Sequence, residues 1–305
     1  MNIPRLSQIT MEDRYSRKNI REKVLADILA SVEGNMSKLF SVAAGQVYDY
    51  LNGRYYPSKQ KRINHLNKMR MDGKLDEETI VIEILMIVMP VDGVQTIQSV
   101  CGRLLSVLGF KDTFDGVKAA AELLAVVCES DLYDIIPARD SETGSMLVRS
   151  NYRLEEHTLQ FMANTKYLPP MICEPQYITS NDQSAYLTFD DSIILGSGNH
   201  HLLEQALDVV NIANGIKLSL DEEMLKYTET SKKELDTHEK EVQFNRMVTA
   251  SKGVYQELLV QGNVFHLTWK YDKRGRFYSQ AYHCNIQGTE FKKSILNLAK
   301  KEIIT

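Results

Sequence analysis

Five residues near the C-terminal end, Asp272, Arg274, Gly275, Arg276 and Tyr278, have the types and spacing to grip a polyanion. Two planar guanidiniums can offer forked, charge-assisted hydrogen bonds to phosphate. Gly275 lets the backbone come close to a phosphate chain, and Tyr278 adds a flat face for stacking beside a base or sugar. An ionised Asp272 only accepts hydrogen bonds, so its expected duty is to orient one of the arginines or a backbone turn, well ahead of metal binding. Taken alone, Asp-x-x-Gly-Arg is a weak signal that far more often marks a tight turn with an acid, a flexible glycine and a solvated arginine. No spacing signature for a Ser-His-Asp or Cys-His nucleophile is present.

The elements that must position these residues are a strand before them and a helix after them. Val264 to Trp269 alternates as a strand should, and the segment from about Thr289 to Lys301 reads as an amphipathic basic helix. A strand with a free edge normally needs neighbours, so a partner's sheet is expected to complete it. Upstream, the first seventy residues read as helical, with Val24, Leu25, Ile28, Leu29 and Val32 on one stripe and Val47, Tyr50 and Leu51 on a second. Ile80 to Met89 is a buried helix opened by Asp76-Glu77-Glu78 and closed by Pro90; Val94 to Leu108 is another, stopped by Gly109; Asp115 to Cys128 is a third. After Tyr167 the chain becomes proline-punctuated, and Tyr186 to Asp190 and Ile193 to Leu195 resemble short strands. From His201 to Leu259 helical patterning returns, with a charged, solvent-exposed middle from Glu222 to Glu241. The expected class is mainly α with minor β.

With 305 residues the chain can hold more than one domain, and its 36 basic against 40 acidic residues argue against polyanion binding over the whole surface. Local basic segments remain. Arg54 to Lys74 carries Lys59, Lys61, Arg62, Lys68 and Arg70 with Tyr55, Tyr56 and His65 interleaved, and reads equally as a phosphate-following stretch or a solvated helix face. His200-His201 lacks a third ligand at helical spacing, and Gly196-Ser-Gly198 lacks the lysine of a P-loop, so a loop junction and a flexible turn are expected there. Cys101, Cys128, Cys173 and Cys284 are scattered without ligand spacing, which predicts reduced thiols and neither zinc nor a disulfide.

The C-terminal segment resembles the DxxGR motif of single-polypeptide phage and mitochondrial RNA polymerases. In that family a strand leads into D-x-R-G-R-x-Y, then N-x-Q-G, then L-x-x-L-A-K; here these stand as Asp272, Arg274, Gly275, Arg276 and Tyr278, then Asn285, Gln287 and Gly288, then Leu296, Leu298, Ala299 and Lys300. Upstream, Pro170-Met171 to Pro175 is similar to a P-M-x-x-P-P segment. Leu207 to Leu220, with Asn211 and Ile216-Lys217-Leu218, is similar to an N-x-x-x-x-x-x-W-K-I-N helix, with Ile216 replacing the Trp and Ser219 the last Asn. Ile80 to Leu108 faintly resembles paired helices of the family's N-terminal domain. The likeness runs from about Ile80 to the end and is strong only after Val264.

The resemblance implies a helical N-terminal domain over 1–191, a thumb-like arm over 192–262 and the first part of a palm over 263–305. It implies nucleic-acid contacts by Asp272, Arg274, Gly275, Arg276, Tyr278, Gln287, Gly288 and Lys217. The family's two metal-binding aspartates lie downstream of DxxGR, and two-metal phosphoryl transfer needs such a pair. This sequence stops before any could occur, so Mg2+ and the catalytic palm and fingers are expected on a second polymerase subunit. That division resembles the heterodimeric polymerases of Schitoviridae-type podophages. It further implies a DNA template and RNA product as partners, room for a single-stranded-DNA-binding or promoter-melting helper, and the cytoplasm of an infected bacterium as location. The reading from another class is a noncatalytic nucleic-acid-binding transcription regulator, whose C-terminal strand would be capped within its own chain.

Overall fold

A computed structural model describes residues 3–55, 59–138, 144–189, 191–196 and 201–300. Tyr56, Asp190, Ser197, Gly198 and His200, and the end of the expected C-terminal helix at Lys301, lie outside the described residues. The protein is mainly helical with small antiparallel sheets. It divides into two compact units, one of residues 21–159 and one joining 1–20 to 160–305. Compactness thus groups the chain differently from the division 1–191, 192–262 and 263–305, which concerns roles.

The unit of residues 21–159 takes in most of α2 (Arg17–Glu33), then α3 (Ser37–Leu51), α4 (Gln60–Met71), α5 (Glu77–Val88), β1 (Val94–Thr96), α6 (Ile97–Leu108), α7 (Thr113–Cys128), β2 (Tyr133–Pro137) and β3 (Met146–Ser150). Its core is aliphatic: Val47, Tyr50 and Leu51 of α3, Ile80, Ile84 and Leu85 of α5, Leu104 of α6 and Leu123, Leu124 and Val127 of α7 are buried. The helix starts follow their caps. Asp76 accepts from the Thr79 N–H at 2.8 Å and Asp112 from the Phe114 N–H at 2.8 Å. Gly109, at φ 65°, ends α6 in the left-handed conformation that a helix stop favours. The helix expected from Val94 begins only at Ile97, because Val94–Thr96 pair with Leu147–Arg149 in the sheet β1-β3-β2.

The composite unit contains α1 (Ile3–Arg14), the end of α8 (Glu156–Thr165), α9 (Leu207–Gly215), β4 (Lys217–Leu220), α10 (His238–Val260), β5 (Phe265–His266), β6 (Trp269–Tyr271), β7 (Phe277–Ser279), α11 (Glu290–Ser294) and β8 (Leu296–Leu298). One sheet runs β5-β4-β8 and a second is the hairpin β6-β7. Met11 and Tyr15 of α1 enter a core with Leu218, Leu220, Val254, Leu258, Phe265 and Ile295. Two polar side chains tie α1 in place. Glu12, 1% exposed, accepts from the N–H groups of Leu187 (3.0 Å) and Thr188 (2.7 Å) and from the Thr188 hydroxyl (2.6 Å). Gln8 Oε1 accepts from the Ile172 N–H at 2.9 Å.

Four expectations in this unit are corrected. The helix read over Leu207 to Leu220 stops at Gly215, and Lys217–Leu220 form a strand. The C-terminal helix is one short turn ending at Ser294, followed by β8, whose Leu296, Asn297 and Leu298 pair with Leu220, Ser219 and Leu218. Helical structure between His201 and Leu259 is broken, since the exposed charged middle becomes α-helical only from His238. The two segments resembling strands, Tyr186 to Asp190 and Ile193 to Leu195, form none among the described residues, beyond one bridge of Ile194 to Tyr271.

Candidate nucleic-acid interface

The hairpin β6-β7 carries the Asp-x-x-Gly-Arg loop at its tip. Trp269 pairs with Ser279, Lys270 with Tyr278 and Tyr271 with Phe277. Alternation then sends Trp269, Tyr271 and Phe277 to one face, where the Trp269 and Phe277 rings stack at 4.6 Å and Tyr271 joins a core with Ile193, Ile194 and Val210. The opposite face holds Lys270 and Tyr278, with Arg276 two residues before Tyr278. Lys270 is buried and forms an ion pair with Asp191.

Both hairpin edges are occupied. On the β6 side, the Leu195 N–H donates to Tyr271 O at 2.7 Å and the Tyr271 N–H to Ile193 O at 2.8 Å. On the β7 side the Gln287 amide acts as a substitute strand, accepting from the Ser279 N–H at 3.0 Å and donating to Phe277 O at 3.0 Å. Gly288 permits the loop to close there. A Cβ on it would lie 3.0 Å from Asn285 O and 3.0 Å from Lys292 Cβ. Gln287 and Gly288 therefore complete the β7 edge of the hairpin, with Gln287 still exposed.

At the tip the Gly275 N–H donates to Asp272 O at 3.0 Å and the Asp272 N–H to Arg276 O at 2.8 Å. This is a three-residue hairpin loop that needs a left-handed residue, and Gly275 supplies it at φ 79°. The Asp272 carboxylate organises everything else. Oδ1 accepts from the backbone N–H of Arg274 (2.9 Å) and of Arg276 (2.9 Å); Oδ2 accepts from Arg274 Nε (3.3 Å) and Nη2 (3.2 Å) and from Arg276 Nε (2.7 Å). Burial works to raise the pKa of Asp272, but the backbone N–H and guanidinium of Arg276 outweigh it and hold the carboxyl below its ordinary range. The acid thus orients both arginines and the turn at once.

Tethered by their inner edges, the guanidiniums face solvent, with Arg274 and Arg276 side chains 71% and 52% exposed. The Arg276 guanidinium carbon also lies 5.6 Å from the Tyr278 ring centroid. The tip therefore offers two fixed cations beside one half-buried aromatic ring. Lys217, the remaining expected contact, is exposed but stands on β4 opposite His266, in the other sheet.

The strand expected to be alone is not. Met171 and His266 exchange backbone hydrogen bonds at 2.9 and 2.8 Å on one side of β5, and Lys217 and Leu218 pair with it on the other. In the basic segment, Arg62, Lys61, Arg70 and Lys74 pair respectively with Glu122, Asp115, Glu77 and Asp72. His201 Nδ1 lies 3.2 Å from Gln205 Nε2, and no group of three or more His, Cys, Asp or Glu placed to hold a metal occurs among the described residues. None of the described helices is long and apolar enough to cross a membrane.

Comparison with known proteins returns a probable DNA-directed RNA polymerase of Gelasinospora sp. (strain G114), 23% identical over 177 residues that cover 52% of this chain and 20% of that protein. Half the chain is distantly related to an RNA polymerase. The chain spans about a fifth of that relative's length. No family model matches it. The anchoring of α1 by Gln8 and Glu12 is not legible in the sequence. Polar residues at helical spacing read as a solvated face, and no local signal marks them as buried.

Proposed function

We propose that this chain is the nucleic-acid-gripping part of a DNA-directed RNA polymerase of the single-subunit type, acting in transcription as one half of a heterodimer. In this reading residues 1–191 serve as the N-terminal domain, 192–262 as a thumb-like arm beside the hybrid, and 263–305 as the start of the palm. The observation that carries it is the tip of the hairpin. Two exposed arginines held by Asp272 beside Tyr278 suit a template strand or nascent hybrid, and the chain's similarity to a polymerase supplies the class. The catalytic aspartates, Mg2+ and nucleotide-handling helix fall to a second polypeptide, so this chain is inactive alone. DNA template and RNA product are its remaining partners, in the infected host's cytoplasm.

The test is to copurify the chain with its stoichiometric partner from infected cells and assay primer extension. Arg276→Ala should shorten products and speed hybrid release while the complex stays assembled. Unchanged extension would sink the assignment. One observation favours the second reading, a noncatalytic nucleic-acid-binding regulator: β5 is paired on both sides within its own chain. That reading holds if the chain comes down alone and still binds single strands.

A further inference from the structure

Three residues beyond β7, Tyr282 stacks face to face on Tyr167, with ring centroids 3.8 Å apart and planes 13° from parallel. The ammonium of Lys292, a residue 5% exposed, sits 3.7 Å from the Tyr282 centroid. Burial lowers the pKa of that ammonium, the charge of Glu229 acting against the shift. Tyr282 is therefore clamped between a fixed cation and a second ring. The chain runs from Tyr167 through Leu168 into the buried Pro169 and Pro170, and the Tyr167 and His283 rings meet edge to face at 6.2 Å.

The outer side of the stack is built differently. Tyr282 covers one face of the partly exposed Tyr167, and Lys166 Nζ lies 5.4 Å from the Tyr167 ring centroid. Lys166 is exposed. A long, solvated side chain at that distance contributes little packing and can swing aside at small cost. Behind it is a rigid aromatic face, the arrangement that lets a planar ligand stack without first ordering the protein.

We infer that the outer face of Tyr167 is a stacking platform for an unpaired nucleobase, with Lys166 moving onto the adjoining phosphate. The inference rests on the nucleic-acid reading of the hairpin and adds a second contact to it, one that engages the base where Arg274 and Arg276 engage the backbone. Every base has a π-face, so the platform holds a strand without reading sequence.

The test compares binding of the full chain to a fluorescein-labelled oligothymidylate and to an abasic sugar-phosphate oligomer of equal length. Tyr167→Leu should weaken oligothymidylate binding roughly five- to a hundredfold, the range that stacking of one base supplies, and leave the abasic oligomer unaffected. Arg276→Ala should weaken both. Tyr167→Trp keeps a ring in place, should bind at least as well as the parent, and should show indole fluorescence quenched by oligothymidylate above the Trp269 background. Parental binding by Tyr167→Leu, or no quenching of Tyr167→Trp at saturation, removes the platform while an Arg276 effect leaves the hairpin standing. Loss with Tyr167→Leu and none with Arg276→Ala keeps the platform and removes the hairpin. A parent that binds neither oligomer removes both.

Discussion

Arg62 in α4 and Arg276 at the hairpin tip are both arginines beside acids, yet they do opposite things. The Arg62 side chain is 4% exposed, bonded through Nε (3.2 Å) and Nη2 to Glu122, whose other contact is the Tyr50 hydroxyl at 2.6 Å, and lies 3.7 Å from Asp115. Its charge is consumed inside the fold. At the tip one carboxylate serves two arginines, so donors outnumber acceptors and the surplus faces water. Anion affinity follows the donors left over rather than the cations counted, which is why the basic segment from Arg54 to Lys74 looks stronger in sequence than in structure.

The contrast can be broken most forcefully at Arg62. Arg62→Ala leaves Glu122 and Asp115 without their buried partner and should cost about 3–5 kcal/mol in urea unfolding, with oligonucleotide affinity unchanged wherever the protein remains folded. A weakened affinity at full folding would make α4 part of the interface. Titration sharpens the same contrast between buried and exposed charge. Burial, with the Lys292 charge in support, lowers the pKa of His283 from 6.5 to about 4, so below pH 6.5 the unfolded chain takes up a proton that the folded chain refuses. The contribution of His283 to stability should therefore fall by roughly 3 kcal/mol from pH 6.5 towards pH 4 and change little beneath that. His283→Gln, compared with the parent in urea at both ends of that range, should remove this step, and an identical slope would refute it.

Smaller effects are expected at the tip. Gly275→Ala meets no atom within 4 Å, so its cost is the left-handed backbone alone, about 1 kcal/mol, read as a shift in thermal midpoint; a loss several times larger would mean that the loop packs against something. Arg276→Ala should leave stability unmoved and reduce the salt dependence of single-strand binding by about 0.7 in the log–log slope, the share of one phosphate contact. An unchanged slope would place Arg276 with Arg62.

Much of this was legible in the sequence where local chemistry decides the outcome. An acid two and four residues before two arginines, with glycine between, can satisfy all of them in one loop, and Asp272 does so. Asp76 and Gly109 mark helix ends for equally local reasons. Legibility failed where a distant strand arbitrates. Ser294 to Lys300 carries apolar residues at both helical and alternating spacing, and pairing with β4 selects the strand, aided by Asn297 donating to Asp221 at 3.0 Å. The helix through Lys217 was misread for a plainer reason, since Asn214-Gly215 is itself a stop signal. Gln287 gave no sign that its amide completes β7, because only the folded hairpin presents that edge.

The docking of α1 bears on how the protein is made. Ribosomes deliver the chain from its N-terminus at about 5–20 residues per second, so Gln8 and Glu12 emerge roughly ten to thirty seconds before the Ile172, Leu187 and Thr188 amides that they accept from. Residues 21–159 can collapse during that interval, while α1 waits with Met11 and Tyr15 uncovered. The composite unit closes late, by a loop of more than a hundred residues, and its assembly is the step at which a chaperone or a fused tag at the N-terminus would be felt.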